Sequence, residues 1–277
     1  MKKVYGVIGD PIAHSISPAI QNDAFTHQKL DCIYHPFHIT PENLSDAVKG
    51  MKAIGIAGFN VTIPHKTTII PYLDEVDELA ATIGAVNTVS YQDGKYIGYN
   101  TDAMGFYKAL SDQISNLTEK KILVVGAGGA ARAIYFTLLS AGTVSVDIAN
   151  RTIEKAESLI ADCPFEKQSV ALTLIQAEEK LADYDVIIQT TSKGMSPDLD
   201  AMPISIHNLS EGTFVSDIIY NPLETKLLKE AKQKGCDIQN GLDMLVYQAA
   251  LAFQIWTGIT PDTSRMKNIM RTTLGGK

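Results

Sequence analysis

Residues 121–152 read KILVVGAGGAARAIYFTLLSAGTVSVDIANRT, a pattern that fits a short buried strand, a glycine turn, a helix and a second strand. Five residues over 121–125 suffice for a parallel strand buried on both faces. Gly126 lets the backbone turn sharply into the helix, and Gly128 keeps side chains off a pyrophosphate. Ala131 completes GxGxxA, so the helix can lie close to the strand with its N-terminal amides facing phosphates. Ala127, Gly129 and Ala130 leave further room. An ordinary tight turn has the same glycines, so context must decide. The second strand, over 144–149, ends on Asn150-Arg151-Thr152, where dinucleotide folds commonly place an acid for the ribose hydroxyls. A guanidinium at that place can grip a 2′-phosphate with two N–H groups and stack on adenine, and Lys155, one helical turn on, adds charge. The stretch predicts a nucleotide site, for NADP. The competing reading makes Arg151 a solvated surface charge. Asp147, earlier in the strand, is expected to point sideways from the sheet.

With 277 residues the chain is long for one core and suits two domains, which its 45% apolar content can fill. A net charge of −7 without a basic run argues against a nucleic-acid partner. No apolar stretch reaches membrane-spanning length, and Asp10-Pro11 interrupts the apolar run after Lys2 and Lys3, which reads as a first strand and not a leader. Cys32, Cys163 and Cys236 are odd in number and scattered, so neither a disulfide framework nor a metal site is expected, and a reducing cytoplasm fits. His35 and His38 share a predicted strand at an odd spacing that sends them to opposite faces, as structural residues.

The first hundred residues alternate strands over 3–8, 32–38 and 58–63 with helices over 18–29 and 42–52. A hairpin follows, 85–91 and 95–99, joined by Asp93-Gly94. A helix over 103–114 is expected to bury Met104, Tyr107, Leu110 and Ile114. Later strands are predicted over 170–174, 185–189, 213–216 and 236–239, with a helix over 224–234. From residue 242 the apolar spacing predicts a helical tail that packs back on the first domain. Polar clusters follow the strands: GDPIAHSISP, NVTIPHK, GYNTD, TTSKGM and DIIYNP. Ligands of open α/β sheets lie beyond the carboxyl ends of strands, so two facing sheets would pool these groups in one cleft.

A reduced nicotinamide delivers hydride to a carbonyl carbon, and the oxygen must then receive a proton. Lys66 and Asp102 are the candidates: an ammonium donates well, and a carboxylate can orient it and share its proton. An ordinary salt bridge is the alternative. Ser15, Ser17, Asn60, Thr62, Asn87, Thr101 and Gln248 supply small neutral donors and acceptors that suit a hydroxylated substrate, with the two serines near a helix start suited to a carboxylate. Ser17 is expected to cap that helix as well. Taken singly, Asn60, Thr62 and Asn87 serve turns or caps equally well.

PIAHSISP, NVTIPHK, GAVNT, GYNTD, GAGGAAR, ANRT, TSKGM, YNPLETKLL and GLDMLVYQAALAFQIWTG occur in this order over 9–258, and the chain thereby resembles the shikimate dehydrogenase family. The resemblance implies NADPH-dependent reduction of 3-dehydroshikimate to shikimate, with Lys66 and Asp102 as the catalytic pair. It implies an α/β fold of two domains: an N-terminal substrate domain with a mostly parallel sheet, and a Rossmann-like doubly wound NADP domain. The expected division is 1–102 with 241–277 against 103–240. Substrate would be held by Ser15, Ser17, Asn60, Thr62, Lys66, Asn87, Thr101, Asp102 and Gln248, with Tyr220 nearby. NADP would be held by Gly126 to Ala130, Asn150, Arg151, Thr152, Lys155, Thr191, Ser192, Met195, Ile218 and Gly241. No metal, nucleic acid or membrane enters, and the chain would act as a monomer or homodimer. Lys155 stands where many relatives carry Arg, and Gln189 where Asn or Ala is frequent. A quinate/shikimate dehydrogenase using NAD is the nearest rival reading, and a nonenzymatic NADP-binding sensor is the rival of another class.

Overall fold

A computed structural model describes residues 2–274. The chain forms two units, Met1–Gly105 with Leu245–Lys277, and Phe106–Met244. The first unit begins with β1 (Lys3–Gly9), α1 (Ser17–His27), β2 (Cys32–His38), α2 (Leu44–Ala53) and β3 (Gly58–Val61). It continues with β4 (Glu75–Val76), α3 (Glu78–Ile83), β5 (Thr88–Gln92) and β6 (Lys95–Tyr99). Its sheet runs β2-β1-β3-β5-β6-β4. The β1 strand pairs parallel with β2 and β3, whereas β5 pairs antiparallel with both β3 and β6. Asp93 and Gly94, at φ 48° and 84°, make the tight turn of the β5–β6 hairpin, which Gly tolerates without steric cost.

The helix α4 (Thr101–Ser111) leads into the second unit, which contains β7 (Ile122–Val125), α5 (Gly129–Ser140), β8 (Val146–Ala149), α6 (Ile153–Asp162) and β9 (Ala171–Leu172). Then come α7 (Leu174–Glu179), β10 (Val186–Gln189), β11 (Phe214–Asp217), α8 (Lys226–Gln233) and β12 (Asp237–Gln239). Every pairing in this sheet is parallel, in the order β12-β11-β10-β7-β8-β9. That is the doubly wound order, reversing between β7 and β10, where such sheets bind ligands. The strands β7, β8 and β10 are buried along their whole length, as helices on both faces of a parallel sheet require.

The chain ends with α9 (Leu242–Thr257) and α10 (Thr263–Thr273), most of which completes the first unit. Trp256 packs tilted against Tyr5, ring centroids 5.1 Å apart, and its Nε1 donates to Val89 O at 2.9 Å. Gln21 Nε2 donates to Ala249 O at 2.9 Å, and Arg265 binds both carboxylate oxygens of Asp23. Gly58 lies under the indole, where an added Cβ would come 2.5 Å from Trp256 Nε1 and 2.8 Å from Val89 O. Gly58→Ala should therefore cost about 1–3 kcal/mol of stability, read from the denaturant midpoint. An unchanged midpoint would show that the contact yields.

Several expectations are corrected. Leu110 is buried as expected, but Met104 is 44% exposed, and α4 also buries Ala103, Phe106 and Ala109. The small alanines take the inner face, which a pattern built on large side chains misses. The strand expected over 170–174 stops at Leu172 because Thr173 caps α7, its hydroxyl accepting from Gln176 N while Gln176 Oε1 accepts from Thr173 N. The short β4 and α3 were not expected at all. Asp77 caps α3 by accepting from Leu79 N and Ala80 N, and Gly84 ends it at φ 78°.

Candidate functional site

Lys66 sits on the loop after β3, where its carbonyl accepts from Val86 N at 2.8 Å. The preceding residue, His65, is fully buried, with Nε2 donating to Ile39 O at 2.6 Å. Asp102 lies in the first turn of α4, where the helix dipole favours a carboxylate. Asn100 starts that turn, its Oδ1 accepting from Ala103 N at 3.1 Å. These supports bring Lys66 Nζ to 2.7 Å from Asp102 Oδ2, with side chains 36% and 23% exposed. A pair so open to water adds little to stability. It can meet a ligand.

Around this pair the sheet register assembles other predicted residues. Asn60 on β3 stands opposite Thr88 on β5. Asn60 Nδ2 donates to Asn87 O at 3.1 Å and to Thr88 Oγ1 at 3.0 Å, while its Oδ1 accepts from Tyr34 OH at 2.7 Å. Asn87 Oδ1 accepts from Thr101 N at 2.7 Å and Thr101 Oγ1 at 3.1 Å, one residue from Asp102. Ser17 was expected to cap α1, but Ile16 holds the cap position and no side chain caps the helix. Ser17 is instead the first helical residue. Its N–H points at Ser15 Oγ over 3.4 Å. Thr62 is partly buried, and its backbone ties β1 to the Lys66 loop through Ile8 O and His65 N. Gln248 on α9 turns its Nε2 back onto Leu245 O at 3.0 Å, and no hydrogen bond joins it to this cluster among the described residues. Tyr220 belongs to the second unit and is 39% exposed.

In that unit Gly126 turns at φ 117°, and a Cβ there would strike Thr190 Oγ1 at 2.5 Å. At Gly128 and Gly129 an added Cβ would meet nothing within 4 Å. No side chain caps α5, so its first amides remain available to an anion. An open groove of about 420 Å³ runs beside them, its lining including the cations Arg132 and Lys155 and the carboxylates Glu154 and Asp162 as well as Gly128 and Gly129. Arg151 and Thr152 are exposed, and Asn150 turns its amide onto Thr152 O at 2.8 Å, shaping the loop that carries Arg151. Arg132, which no motif spacing marks out, pairs with Asp162 at 2.9 Å and lies over the Phe136 ring. Asp147 is buried, accepting from Val170 N and Tyr184 OH, so it serves the fold. The uncapped helix start, the open glycine surface and the two cations, Arg151 and Lys155, fit a phosphorylated dinucleotide.

The loops after β10 and β11 are pinned from below. Gln189 is buried, donating to Thr191 O and Lys193 O and accepting from Thr191 N at 2.6 Å. It thereby shapes the loop of Thr191, Ser192 and the exposed Met195. Gly241 packs its backbone against the next loop: an added Cβ would lie 2.0 Å from Ile218 O, and its N–H donates to Ile219 O at 2.9 Å. Asp217, 1% exposed, ends β11 with Oδ1 accepting from Ile219 N and Oδ2 from Thr225 Oγ1. Burial without a cation pushes its carboxyl from the ordinary 3.8 up to about 6. A raised acid pKa means that the folded form binds the proton more tightly, so this group's stabilising contribution is full below 3.8 and is lost as pH rises through about 6. Asp217→Asn removes that loss. Its stability relative to the parent should grow by about 3 kcal/mol between these limits, measured by denaturation across pH, and a flat difference would refute the burial cost.

Among the described residues no helix is long and apolar enough to cross a membrane, and no group of three His, Cys, Asp or Glu could hold a metal. Three family profiles match the chain: "Shikimate dehydrogenase substrate binding domain" over 7–89, "Shikimate / quinate 5-dehydrogenase" over 108–202 and "Shikimate 5'-dehydrogenase C-terminal domain" over 241–271. The chain is 57% identical to a shikimate dehydrogenase (NADP(+)) of Bacillus anthracis, over 100% of both sequences. A shikimate 5-dehydrogenase of Listeria monocytogenes, solved with shikimate and NAD, superposes with TM-score 0.93 at 33% identity, covering 97% of this chain and 96% of that one. One from Thermus thermophilus, solved with NADP(H) and shikimate, gives 0.87 at 36% identity, covering 98% and 99%.

Proposed function

Because the chain belongs to the shikimate dehydrogenase family, we infer that it catalyses the reversible reduction of 3-dehydroshikimate to shikimate with NADPH, a step of aromatic amino-acid biosynthesis. The observation that carries the chemical reading is Lys66 Nζ at 2.7 Å from Asp102 Oδ2 beside a cluster of neutral hydrogen-bonding side chains. NADPH, when bound, supplies hydride to the substrate's carbonyl carbon. Lys66 gives a proton to the oxygen as it becomes a hydroxyl, and Asp102 orients the ammonium and shares its proton. In the reverse direction the same pair takes the hydroxyl proton.

Ser15 and Ser17 would hold the substrate carboxylate, and Asn60, Thr62, Asn87, Thr101 and Gln248 its ring oxygens. The α5 amides would hold the pyrophosphate, with Arg151 and Lys155 on the 2′-phosphate and Asn150 and Thr152 shaping that loop. Thr191, Ser192, Met195, Ile218 and Gly241 would flank the nicotinamide. Substrate recognition is assigned to 1–102 with 241–277, and cofactor binding to 103–240. The free thiols of Cys32, Cys163 and Cys236 support a cytoplasmic site of action, as a monomer or homodimer. Turnover of shikimate with NADP compared with quinate with NAD tests the reading. Preference for the second pair would make the chain a quinate dehydrogenase, and NADPH binding without turnover on either would make it a sensor.

A further inference from the structure

One buried line of hydrogen bonds in the first unit has a polarity that the structure determines. Thr101 N–H can only donate, so the Asn87 side-chain atom 2.7 Å from it is the amide oxygen. Asn87 O can only accept, so the Asn60 atom 3.1 Å from it is the amide nitrogen. Each carboxamide is thus oriented by a backbone group and cannot turn over without setting two donors or two acceptors against each other.

The rest follows in one direction. Tyr34 OH donates to Asn60 Oδ1 at 2.7 Å, and Asn60 Nδ2 donates to Thr88 Oγ1 at 3.0 Å. Thr88 Oγ1 donates a hydrogen bond to Thr101 Oγ1 at 2.9 Å or to Asn87 Oδ1 at 3.1 Å, and Thr101 Oγ1 lies 3.1 Å from that same oxygen. Tyr34, Thr88 and Thr101 are all buried. Burial pushes the Tyr34 hydroxyl well above its ordinary range against the favourable contact of the Ser17 hydroxyl, so it stays a donor. The line ends on Asn87 Oδ1, which accepts from Thr101 N, Thr101 Oγ1 and Thr88 Oγ1, while Tyr34 acts one step back by fixing the Asn60 carboxamide. Asn87 is 3% exposed, and its Nδ2 meets no acceptor among the described residues yet is not sealed from solvent.

We propose that Tyr34 and Thr88 are positioning residues that lock the Asn87 carboxamide with its NH2 outward, so that this position recognises an acceptor oxygen on the substrate. The inference rests on the shikimate dehydrogenase reading and names the recognition polarity within its substrate site. Tyr34 and Thr88 are 2% and 0% exposed, too deep to meet a ligand directly. They act through Asn60, Asn87 and Thr101, so their loss should fall on substrate affinity and leave the cofactor alone.

The experiment compares Thr88→Val, Thr88→Ser and Tyr34→Phe in the full chain, measuring KM and kcat for shikimate and the Kd for NADPH. Valine keeps the shape of threonine and removes the hydroxyl, leaving one Asn60 Nδ2 hydrogen without its acceptor, while Asn87 Oδ1 loses one of three donors and keeps Thr101 N and Oγ1. Thr88→Val should raise the shikimate KM by about tenfold or more, the effect of one unsatisfied buried partner, with NADPH Kd within about twofold of the parent. Thr88→Ser, which restores the hydroxyl, should return the KM to within about threefold. Tyr34→Phe keeps the ring against Trp256 and should raise KM in the same sense by about three- to tenfold, so it carries the test if Thr88→Val does not fold. The proposal is overturned by an unchanged KM in a folded Thr88→Val or Tyr34→Phe protein, by failure of serine to rescue, or by equal losses in NADPH binding. A parent protein that does not oxidise shikimate would reject the functional reading instead, whatever the variants do.

Discussion

Lys66→Ala is expected to lower kcat for shikimate oxidation by about 10²- to 10⁴-fold, or roughly 3–5 kcal/mol of barrier, with NADPH Kd within about twofold. The magnitude is that of losing a proton-transfer group whose partner remains. Lys66 Nζ and Asp102 Oδ2 are 2.7 Å apart and open to water, so the substitution removes little packing and little ion-pair stability. A large drop in kcat in a protein that melts normally therefore reports chemistry. Asp102→Asn should also be impaired, and the double variant should be scarcely worse than Lys66→Ala, because the two groups move one proton between them. Near-normal turnover by Lys66→Ala would reduce the pair to a salt bridge, and additive losses would separate their roles.

The second large effect is expected at the cofactor. Arg151→Ala should weaken NADP binding by about 10- to 100-fold, as loss of charge-assisted hydrogen bonds to a 2′-phosphate requires, while NAD changes by less than about twofold. Arg151 is exposed at the end of the loop after β8, with Asn150 bracing the turn beneath it through Thr152 O. Lys155, in the first turn of α6, is a point charge without the guanidinium fork, so Lys155→Ala should cost less. Titration of each variant with both cofactors measures the ratio. Equal losses for NADP and NAD would remove the phosphate from the Arg151 pocket.

The second unit was the more legible of the two in the sequence because its information is local. A buried strand, three small residues and a helix over 121–140 dictate one supersecondary unit, and the parallel order follows from the right-handed crossover it starts. Asp93-Gly94 likewise announced its own hairpin. The α4 face was misread because Ala103 and Ala109 bury more fully than Met104, a choice made by neighbours that lie elsewhere in the chain.

Within the candidate site, charged and polar residues in named motifs could be picked out, but their supports could not. Thr88 gains its role only through the β3–β5 register that sets it opposite Asn60, and Tyr34 only because β1 separates β2 from β3 in the sheet. Neither relation leaves a spacing in the chain. Gln189 ends one expected strand and Asp217 follows another, yet that they hold the following loops from below becomes visible only with the backbone amides in place. Ser17 carried the usual signature of a cap and yielded that position to Ile16, since the helix begins one residue earlier than Pro18 suggests.

The discontinuity of the first unit orders the birth of the molecule on the ribosome. Its sheet lacks the Trp256 lid until the final thirty or so residues emerge, whereas 106–244 is contiguous and complete before them. The later-encoded half should thus become protease-resistant first, and a truncated chain ending at residue 244, released from the ribosome, should yield a protected fragment from that half while the amino-terminal portion is digested.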